Sequence, residues 1–340
     1  MAAVALLISY TSVYISPDKF WIPAFFGLAF PFIVIANIIF IIVWFFIQPK
    51  KMVLSLFTIL IGFGFVNRYI QFKGKTIGSD GVKVVSYNVK NFFGQNKSNQ
   101  KENADKILEF LDTKDADIIC LQEIRLRKKN IFNVPRAIQD LKKIKHYQYA
   151  SSSTTFGLIT FTSYPIINMG EIRYKKSKNL AIYTDVIIDL DTVRIFNVHL
   201  QSYRINPGDY NIIDSPGLAE EKDIKEIRAL GGKLKTGFQG RAVQVREIKE
   251  IIDETPYPVI ICGDFNDTPV SYSYQQLRGD FADAFVESGK GLGRTYIGKL
   301  PSYRIDNIIH SDVFQSYNFK VDNFRVSDHL PISCLLVRKQ

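Results

Sequence analysis

Cysteine is scarce in this chain of 340 residues, which contains only Cys120, Cys262 and Cys334. Each lies inside an apolar, strand-like run, where a thiol usually packs as a small hydrophobic group. Their spacing matches neither a disulfide framework nor a zinc-binding pattern. The sequence therefore gives no indication of a disulfide-stabilised scaffold or of a structural zinc site.

Charge is almost absent from the first 67 residues, whose only ionisable acids and bases are Asp18, Lys19, Lys50 and Lys51. The apolar run at 21–47 is longer than the roughly 20 residues that a helix needs to cross a bilayer. This run predicts a transmembrane helix.

Two shorter apolar runs, at 2–15 and 52–66, flank the long one. By length alone they fit a membrane span, an interfacial segment or the core of a signal peptide. No basic stretch precedes the first run and no small-residue cleavage site follows it, which disfavours a cleaved signal peptide. We therefore predict about three transmembrane helices within residues 1–70, in the cytoplasmic (inner) membrane.

The basic residues of the apolar region indicate its orientation. Lys50 and Lys51 lie in the loop after the long run, whereas the preceding loop carries only Lys19 beside Asp18. The positive-inside rule places the more basic loop in the cytoplasm, so three spans leave the rest of the chain on the extracytoplasmic side. The three basic residues between positions 68 and 75 argue for the opposite orientation.

The net charge is +10, and residues 80–340 carry half of it. Such a moderate excess favours an anionic partner, for example a nucleic acid or a lipid headgroup, and does not choose between them. Nothing in the sequence predicts a protein partner.

From residue 82 onward the pattern is that of a soluble domain, so we predict a linker at 71–81 and a domain at 82–340. Helical periodicity appears near 100–112, 136–144 and 240–253, and the polar segment 201–235 is expected to be a long loop or a small helical insertion. The alternation of helices with strands predicts a mixed α/β sheet domain. The strand-like runs lie at 82–87, 117–121, 156–161, 181–188, 193–198, 258–262, 304–309 and 331–337.

Many of these apolar runs end in a polar side chain. In "GDFND", Asp264 and Asn266 are two positions apart, so in an extended chain both face the same side. Two oxygen ligands aimed at one point suit a hard cation or a phosphate. Other runs end in or carry Asn88, Glu123, Asn197 and His199, Asp306, and Asp328 and His329.

Each of these residues also has an ordinary structural explanation. Asp328 is compatible with a turn, Glu123 with a helix cap, His199 with a hydrogen-bonded core histidine, and Asp306 with an ion pair to Arg304. All of these explanations would have to hold together across separate segments. A shared chemical site is the simpler account.

The motifs "SYNVKNF", "LQEI", "NVHL", "GDFND", "RIDNI" and "SDHLP", in this order, resemble those of the endonuclease/exonuclease/phosphatase family of DNase I-like hydrolases. The resemblance covers about residues 82–337. It implies a four-layer α/β sandwich that hydrolyses phosphodiester or phosphomonoester bonds with a divalent cation, Mg²⁺ or, as the alternative, Mn²⁺. Family members act on DNA, RNA, sphingomyelin, inositol phosphates and other phosphate esters.

The resemblance also implies a role for each matched residue. Glu123 is similar to the principal metal-binding carboxylate, with Asn88 and Asp328 completing the metal site. Asn88, His199 and Asn266 are implied to contact the substrate phosphate. The groups implied to be catalytic are Asp264, which positions or deprotonates water, Asn266, the pair Asp306 and His329, and His199 near the leaving group.

The sequence departs from the family pattern at Asn307, where an aromatic residue is common, and before "YPI", where a basic residue is common. Two basic clusters, 125–129 and 173–178, are compatible with solvated loops or with a phosphate-binding rim. Arg241, Gln244 and Arg246 are expected on the surface of the helix at 240–253. Two functions remain open: a membrane-anchored phosphoesterase acting on nucleic acid or phospholipid, and a catalytically silent binding or scaffold protein with the same fold.

Overall fold

The computed structural model describes a helical unit and a sheet unit. The helical unit contains residues 1–66, 201–246 and 266–276, and the sheet unit contains residues 67–200, 247–265 and 277–340. Within these limits the structure describes residues 1–78, 80–94, 99–126, 132–152, 157–175, 177–205, 209, 221–298 and 303–339.

The sheet unit is built from two six-stranded sheets. The strand orders are β11-β12-β1-β2-β4-β3 and β5-β6-β7-β8-β10-β9. The strands are β1 Val82–Asn88, β2 Ile118–Ile124, β3 His146–Ser151, β4 Gly157–Thr162, β5 Ile166–Arg173, β6 Leu180–Ile188, β7 Asp191–His199, β8 Val259–Asp264, β9 Ala282–Asp283, β10 Asp306–His310, β11 Phe314–Val321 and β12 Ile332–Arg338.

A core of β-branched residues fills the space between the two sheets. Cys120, Cys262 and Cys334 belong to this core as free, buried thiols, as the sequence predicted. A second core joins the outer face of the first sheet to α6 (Gln100–Thr113) and α7 (Val134–Asp140). The predicted α/β sandwich is therefore confirmed.

Each sheet contains one parallel pair of strands, β1 with β2 and β7 with β8. The carboxyl ends of a parallel pair meet at the same edge of a sheet. Asn88 and Glu123 end the first pair, while His199 lies opposite Asp264 at the end of the second. The antiparallel strand β10 begins with Asp306 opposite Asp264. The topology therefore places these residues at four strand ends and one strand start.

The helical unit starts with α1 (Ala2–Thr11), α2 (Ile22–Leu28), α3 (Phe30–Ile47), α4 (Pro49–Ile61) and α5 (Phe63–Val66). The run predicted as one long helix is broken at Ala29, because Pro31 begins α3 without a backbone N–H to continue the preceding helix. Among the described residues, α3 is the one helix of spanning length, with 18 residues and a mean hydropathy of 2.8. The structure thus provides one candidate span where the sequence predicted three.

The helix α8 (Glu221–Asp253) has 33 residues, so it begins well before the predicted start at residue 240. The expected loop at 201–235 is helical over its last part, and residues 206–208 and 210–220 lie outside the described residues. The placement of Arg241 and Gln244 on the helix surface was wrong, because they are 0% and 2% exposed. Arg246 binds Asp18.

Two short helices complete the chain, α9 (Tyr272–Arg278) and α10 (Ala284–Ser288).

The segment predicted as a linker lies along the sheet unit. Gln71 forms a β-bridge with Gly291, and the backbone N–H of Asn318 donates to the carbonyl of Lys75. The Asn318 side chain in turn bonds both backbone groups of Ile77. These hydrogen bonds fix the start of the domain where the sequence suggested a free connection.

Candidate active site

Asn88 joins the two sheets at their polar edge. It is fully buried at the end of β1, and its amide nitrogen donates to Glu123 Oε1 at 3.2 Å and to Asp264 Oδ2 at 3.0 Å. Its amide oxygen accepts the backbone N–H of Lys90 at 3.0 Å. One amide thus places carboxylates from β2 and β8 next to each other.

Glu123 has a backbone φ of 55°, in the left-handed region that non-glycine residues rarely occupy, and no described helix starts there for it to cap. Burial raises the pKa of its carboxyl, although His329 and the Asn88 amide act against this. Asn91 donates to Glu123 Oε2 at 3.4 Å, while the Asn91 amide oxygen is buried without a hydrogen-bond partner. A carboxylate beside an unpaired amide oxygen is a donor set that suits a hard cation.

Asp306 and His329 form a buried pair. His329 Nδ1 lies 2.9 Å from Asp306 Oδ2, and both residues are at least 94% buried, at 6% and 1% exposure. The Thr295 hydroxyl accepts the backbone N–H of Asp306 at 3.1 Å, and the ring of Tyr296 packs edge-on against the imidazole. These contacts fix the plane of the ring, leaving Nε2 to face the site.

The two histidines of the site are driven to opposite charge states. Burial opposes charge on His329, but Asp306 and Asp264 outweigh it and raise its pKa to about 10. Burial lowers the pKa of His199, and the nearby Asp264 does not compensate for it. His199 Nε2 lies 3.5 Å from Glu123 Oε1 and 3.9 Å from Asp264 Oδ2, while His329 Nε2 lies 3.8 Å from the same Asp264 oxygen. At neutral pH the cluster therefore contains one imidazolium and one neutral imidazole.

Asp328 already has a cationic partner, because Lys90 forms an ion pair with it. Lys90, Asn91 and Phe92 all have positive φ angles, of 45°, 52° and 62°. This left-handed turn directs the ammonium group of Lys90 to Asp328 and the side chain of Asn91 to Glu123. A cation bound by Asp328 would have to compete with Lys90.

Asp264, Asp306 and His329 bring one ligand atom each within 4.8 Å of one another, so they too could hold a metal ion. The Nδ1 atom of His329 is already hydrogen-bonded to Asp306, however. Glu123 with Asn91 is the better fit to a divalent cation, because its oxygens accept from the amides of Asn88 and Asn91 and the amide oxygen of Asn91 is buried without a hydrogen-bond partner.

The other residues singled out in the sequence have varied places. Asn197 is a structural link, since its amide accepts from Gln122 at 2.8 Å and donates to the carbonyl of Ile159 at 2.9 Å. Asn266 follows β8 in the left-handed conformation, with a φ of 51°. Arg304 binds Asp283 instead of Asp306.

The basic cluster at 125–129 falls largely outside the described residues, and so does Lys176 of the second cluster.

Sequence reasoning missed Lys90 and Asn91, although both lie in the quoted motif "SYNVKNF". Asn91 is visible in the motif three positions after Asn88, but a left-handed turn of non-glycine residues has no sequence signature. Tyr296 was missed because it is distant in sequence from His329 and meets it through a β-bridge and a ring contact that form only in the folded chain.

Comparison with known proteins gives two family matches. Residues 85–329 match the endonuclease/exonuclease/phosphatase family, and residues 1–69 match a domain of unknown function (DUF8431). No curated protein sequence matches the chain.

Several solved structures share the fold at low sequence identity. An endonuclease/exonuclease/phosphatase family protein from Leptotrichia buccalis has a TM-score of 0.53 and 16% identity, with 75% of this chain and 99% of that chain covered. The catalytic domain of human Nocturnin, solved with a bound sulfate anion, has a TM-score of 0.54 and 16% sequence identity. The match covers 76% of this chain and 95% of that chain. A mannosyl-6-phosphatase from Bacteroides thetaiotaomicron has a TM-score of 0.50 and 17% sequence identity. The match covers 75% of this chain and 99% of that chain. With a family match over most of its length and the predicted sandwich, this chain belongs to the endonuclease/exonuclease/phosphatase family.

Proposed function

We propose that the chain is a membrane-anchored, divalent-metal-dependent phosphoesterase, most consistent with a phosphodiesterase acting on nucleic acid or phospholipid. The observation that supports this best is the convergence of Glu123, Asp264, His199 and the Asp306–His329 pair at one edge of the sandwich. Family membership makes phosphate-ester hydrolysis the expected reaction. Metal dependence, substrate and anchoring are our proposals.

Glu123 and Asn91, with Asn88 beside them, would hold the cation, and Mg²⁺ suits a site with one carboxylate because it keeps most of its waters. When bound, the cation neutralises the charge that develops on the phosphoryl oxygens. His329, held as an imidazolium by Asp306, adds a second positive group facing the same region. Asn266 would help to hold the phosphate.

Asp264 would accept a proton from the attacking water, and the hydrogen bond from the Asn88 amide to its Oδ2 at 3.0 Å supports this role. His199, kept neutral by burial, would contact the phosphate and assist the leaving group on the opposite side of phosphorus. In-line displacement requires these groups on the two sides of the phosphoryl group. The ion pair between Asp328 and Lys90 would neutralise both charges beside the phosphate site and would hold the backbone turn at Lys90 against Asp328.

The silent scaffold is the competing proposal. It would be favoured if the acidic and imidazole groups were held apart or replaced. In this chain each of the two imidazoles approaches two carboxylates, with 2.9–3.9 Å between ring nitrogen and carboxylate oxygen. The test is to assay the full chain in lipid nanodiscs with Mg²⁺ on plasmid DNA, RNA, sphingomyelin, phosphatidylinositol phosphates and a chromogenic phosphodiester. The Glu123→Gln variant is the control. The absence of turnover on every substrate would favour the scaffold, whereas equal turnover by wild type and variant would contradict the role of Glu123.

The anchor proposal rests on the exposed surface of α3. Only 11% of its apolar window is buried, and side chains such as Ile42 and Phe46 are 55% and 79% exposed. The helices α3 and α4 form a hairpin joined at Gln48, and Lys50 and Lys51 lie in the first turn of α4 beside this connection. We therefore propose a multi-pass anchor with this turn in the cytoplasm and the sheet unit on the extracytoplasmic side.

A pair of C-terminal fusions tests this orientation. Alkaline phosphatase should be active and a cytoplasmic fluorescent protein dark at the same position. The opposite pattern would show that the sheet unit faces the cytoplasm. Recovery of the chain in the soluble fraction after cell lysis would contradict the anchor itself.

A further inference from the structure

We infer that the first half of α8 is an interfacial helix that lies on the surface of an anionic lipid bilayer, next to the N-terminal helices. This inference rests on the proposed membrane anchor and concerns residues 224–235, which the catalytic proposal does not use.

An apolar stripe runs along this half of the helix. Ile224, Ile227, Leu230, Leu234 and Phe238 fall within about a third of the helix circumference at 3.6 residues per turn. The stripe is buried at one end only: Phe238 is 2% exposed, whereas Ile227 and Ile224 are 38% and 53% exposed. One apolar face is therefore buried at Phe238 and becomes increasingly exposed toward Ile224.

The buried end of the stripe packs on the N-terminal helices. The ring of Phe238 meets Phe25 of α2 edge-on at 5.1 Å. One turn earlier, the ammonium group of Lys235 lies 5.0 Å from the ring centre of Trp21. Trp21 immediately precedes α2, and tryptophan is enriched where a helix meets the membrane surface. The exposed part of the stripe thus starts next to residues that contact helices which we propose to lie in the membrane.

The charges that flank the stripe suit anionic headgroups. Between 221 and 235 the helix carries five basic residues against three acids, and one of the basic residues, Lys233, is paired with Asp209. Arg228 and Lys235 lie just outside one edge of the apolar stripe in helical projection. Basic residues beside an apolar face are typical of helices that lie in the plane of an anionic membrane.

The helix also needs a partner for its own stability. Gly231 and Gly232 lie in its middle, and a side chain built at either would meet nothing within 4 Å. Glycine in a helix interior is unfavourable, and neither glycine has a side chain whose packing could offset it. A bilayer surface would supply the missing contact along the apolar stripe.

Depth-dependent fluorescence quenching tests the inference in the full chain. The fluorophore NBD is attached to a cysteine at one position in Ile227→Cys, in Ala229→Cys on the opposite face, or in Ile39→Cys on α3. The native cysteines are 0–5% exposed and should not react. Each protein is placed in nanodiscs of phosphatidylcholine and phosphatidylglycerol that contain a lipid-borne doxyl quencher.

We expect more than about half of the emission to be lost at 227, a similar loss at 39 and little loss at 229, because an interfacial helix buries one face by several ångströms. Nanodiscs without phosphatidylglycerol should show less quenching at 227 and unchanged quenching at 39. Equal quenching at 227 in both lipids would overturn the preference for anionic lipid.

Emission at 227 as resistant to quenching as at 229, with 39 quenched, would overturn the interfacial helix and leave the anchor intact. Resistance at all three positions would overturn both. Quenching of all three alike would contradict a helix lying on the surface. The readout needs no turnover, so a failure of the proposed phosphoesterase activity is detected separately.

Discussion

Removing the carboxylate of Asp306 should disable His329 almost as completely as removing the imidazole itself. The two are joined at 2.9 Å in a buried site, and the pKa of His329 is raised from 6.5 to about 10 by Asp306 and Asp264 together, against the effect of burial. At 1.36 kcal/mol per pKa unit, this corresponds to about 4–5 kcal/mol of stabilisation of the imidazolium. Loss of the larger of the two carboxylate contributions should therefore leave His329 mostly neutral at pH 7.

We expect Asp306→Ala, His329→Ala and the double variant each to lose roughly 10² to 10⁴-fold in kcat, with KM changed much less. The double variant should fall to a similar residual rate, because two residues that act as one unit are not additive. The assay is steady-state hydrolysis of the substrate found in the nanodisc screen, with circular dichroism as the folding control. Multiplicative losses in the double variant would refute coupling, and full turnover in His329→Ala would remove this residue from the mechanism.

Three further results are expected. Glu123→Gln should abolish Mg²⁺-stimulated turnover with the fold intact, because it removes the carboxylate charge from the proposed metal site; activity that survives EDTA in the wild type would contradict this. In the metal-free chain, ¹⁵N NMR of the imidazoles should show His329 protonated and His199 neutral at pH 7–8, following their raised and lowered pKa values; titration of both near the ordinary pKa of about 6.5 would contradict the electrostatic picture. Arg241→Met should destabilise the chain by about 3–5 kcal/mol in chemical denaturation, because it leaves Asp267 buried without its partner at 2.9 Å, and adding Asp267→Asn should recover much of the loss.

The fold and the positions of the polar strand ends could be predicted because they follow from simple periodicities. An alternation of apolar residues defines a strand, and the polar residue that ends it is visible in the sequence. The positions of Asn88, Glu123, His199 and Asp264 at the ends of two parallel pairs agree with this reasoning. Their proposed roles remain predictions.

The parts that could not be predicted depend on tertiary contacts. A helical pattern does not tell which polar residue on its face is buried, so Arg241 was placed on the surface although it binds Asp267 and the carbonyl of Gln201. Nor does the sequence reveal that Lys90 reaches Asp328 across 238 positions. The length of the helix at 221–253 was missed because Gly231 and Gly232 suggest a loop.

The Asn88 hydrogen bonds make the active site sensitive to the thickness of the sandwich. Glu123 belongs to one sheet and Asp264 to the other, and a single amide bridges them at 3.2 Å and 3.0 Å. Sheets pack about 10 Å apart, and that spacing is set by the side chains between them, including Cys120 and Cys262. A larger residue in this layer would increase the distance between the sheets and therefore between the two carboxylates. Core substitutions at these cysteines should therefore reduce catalysis well before they unfold the chain.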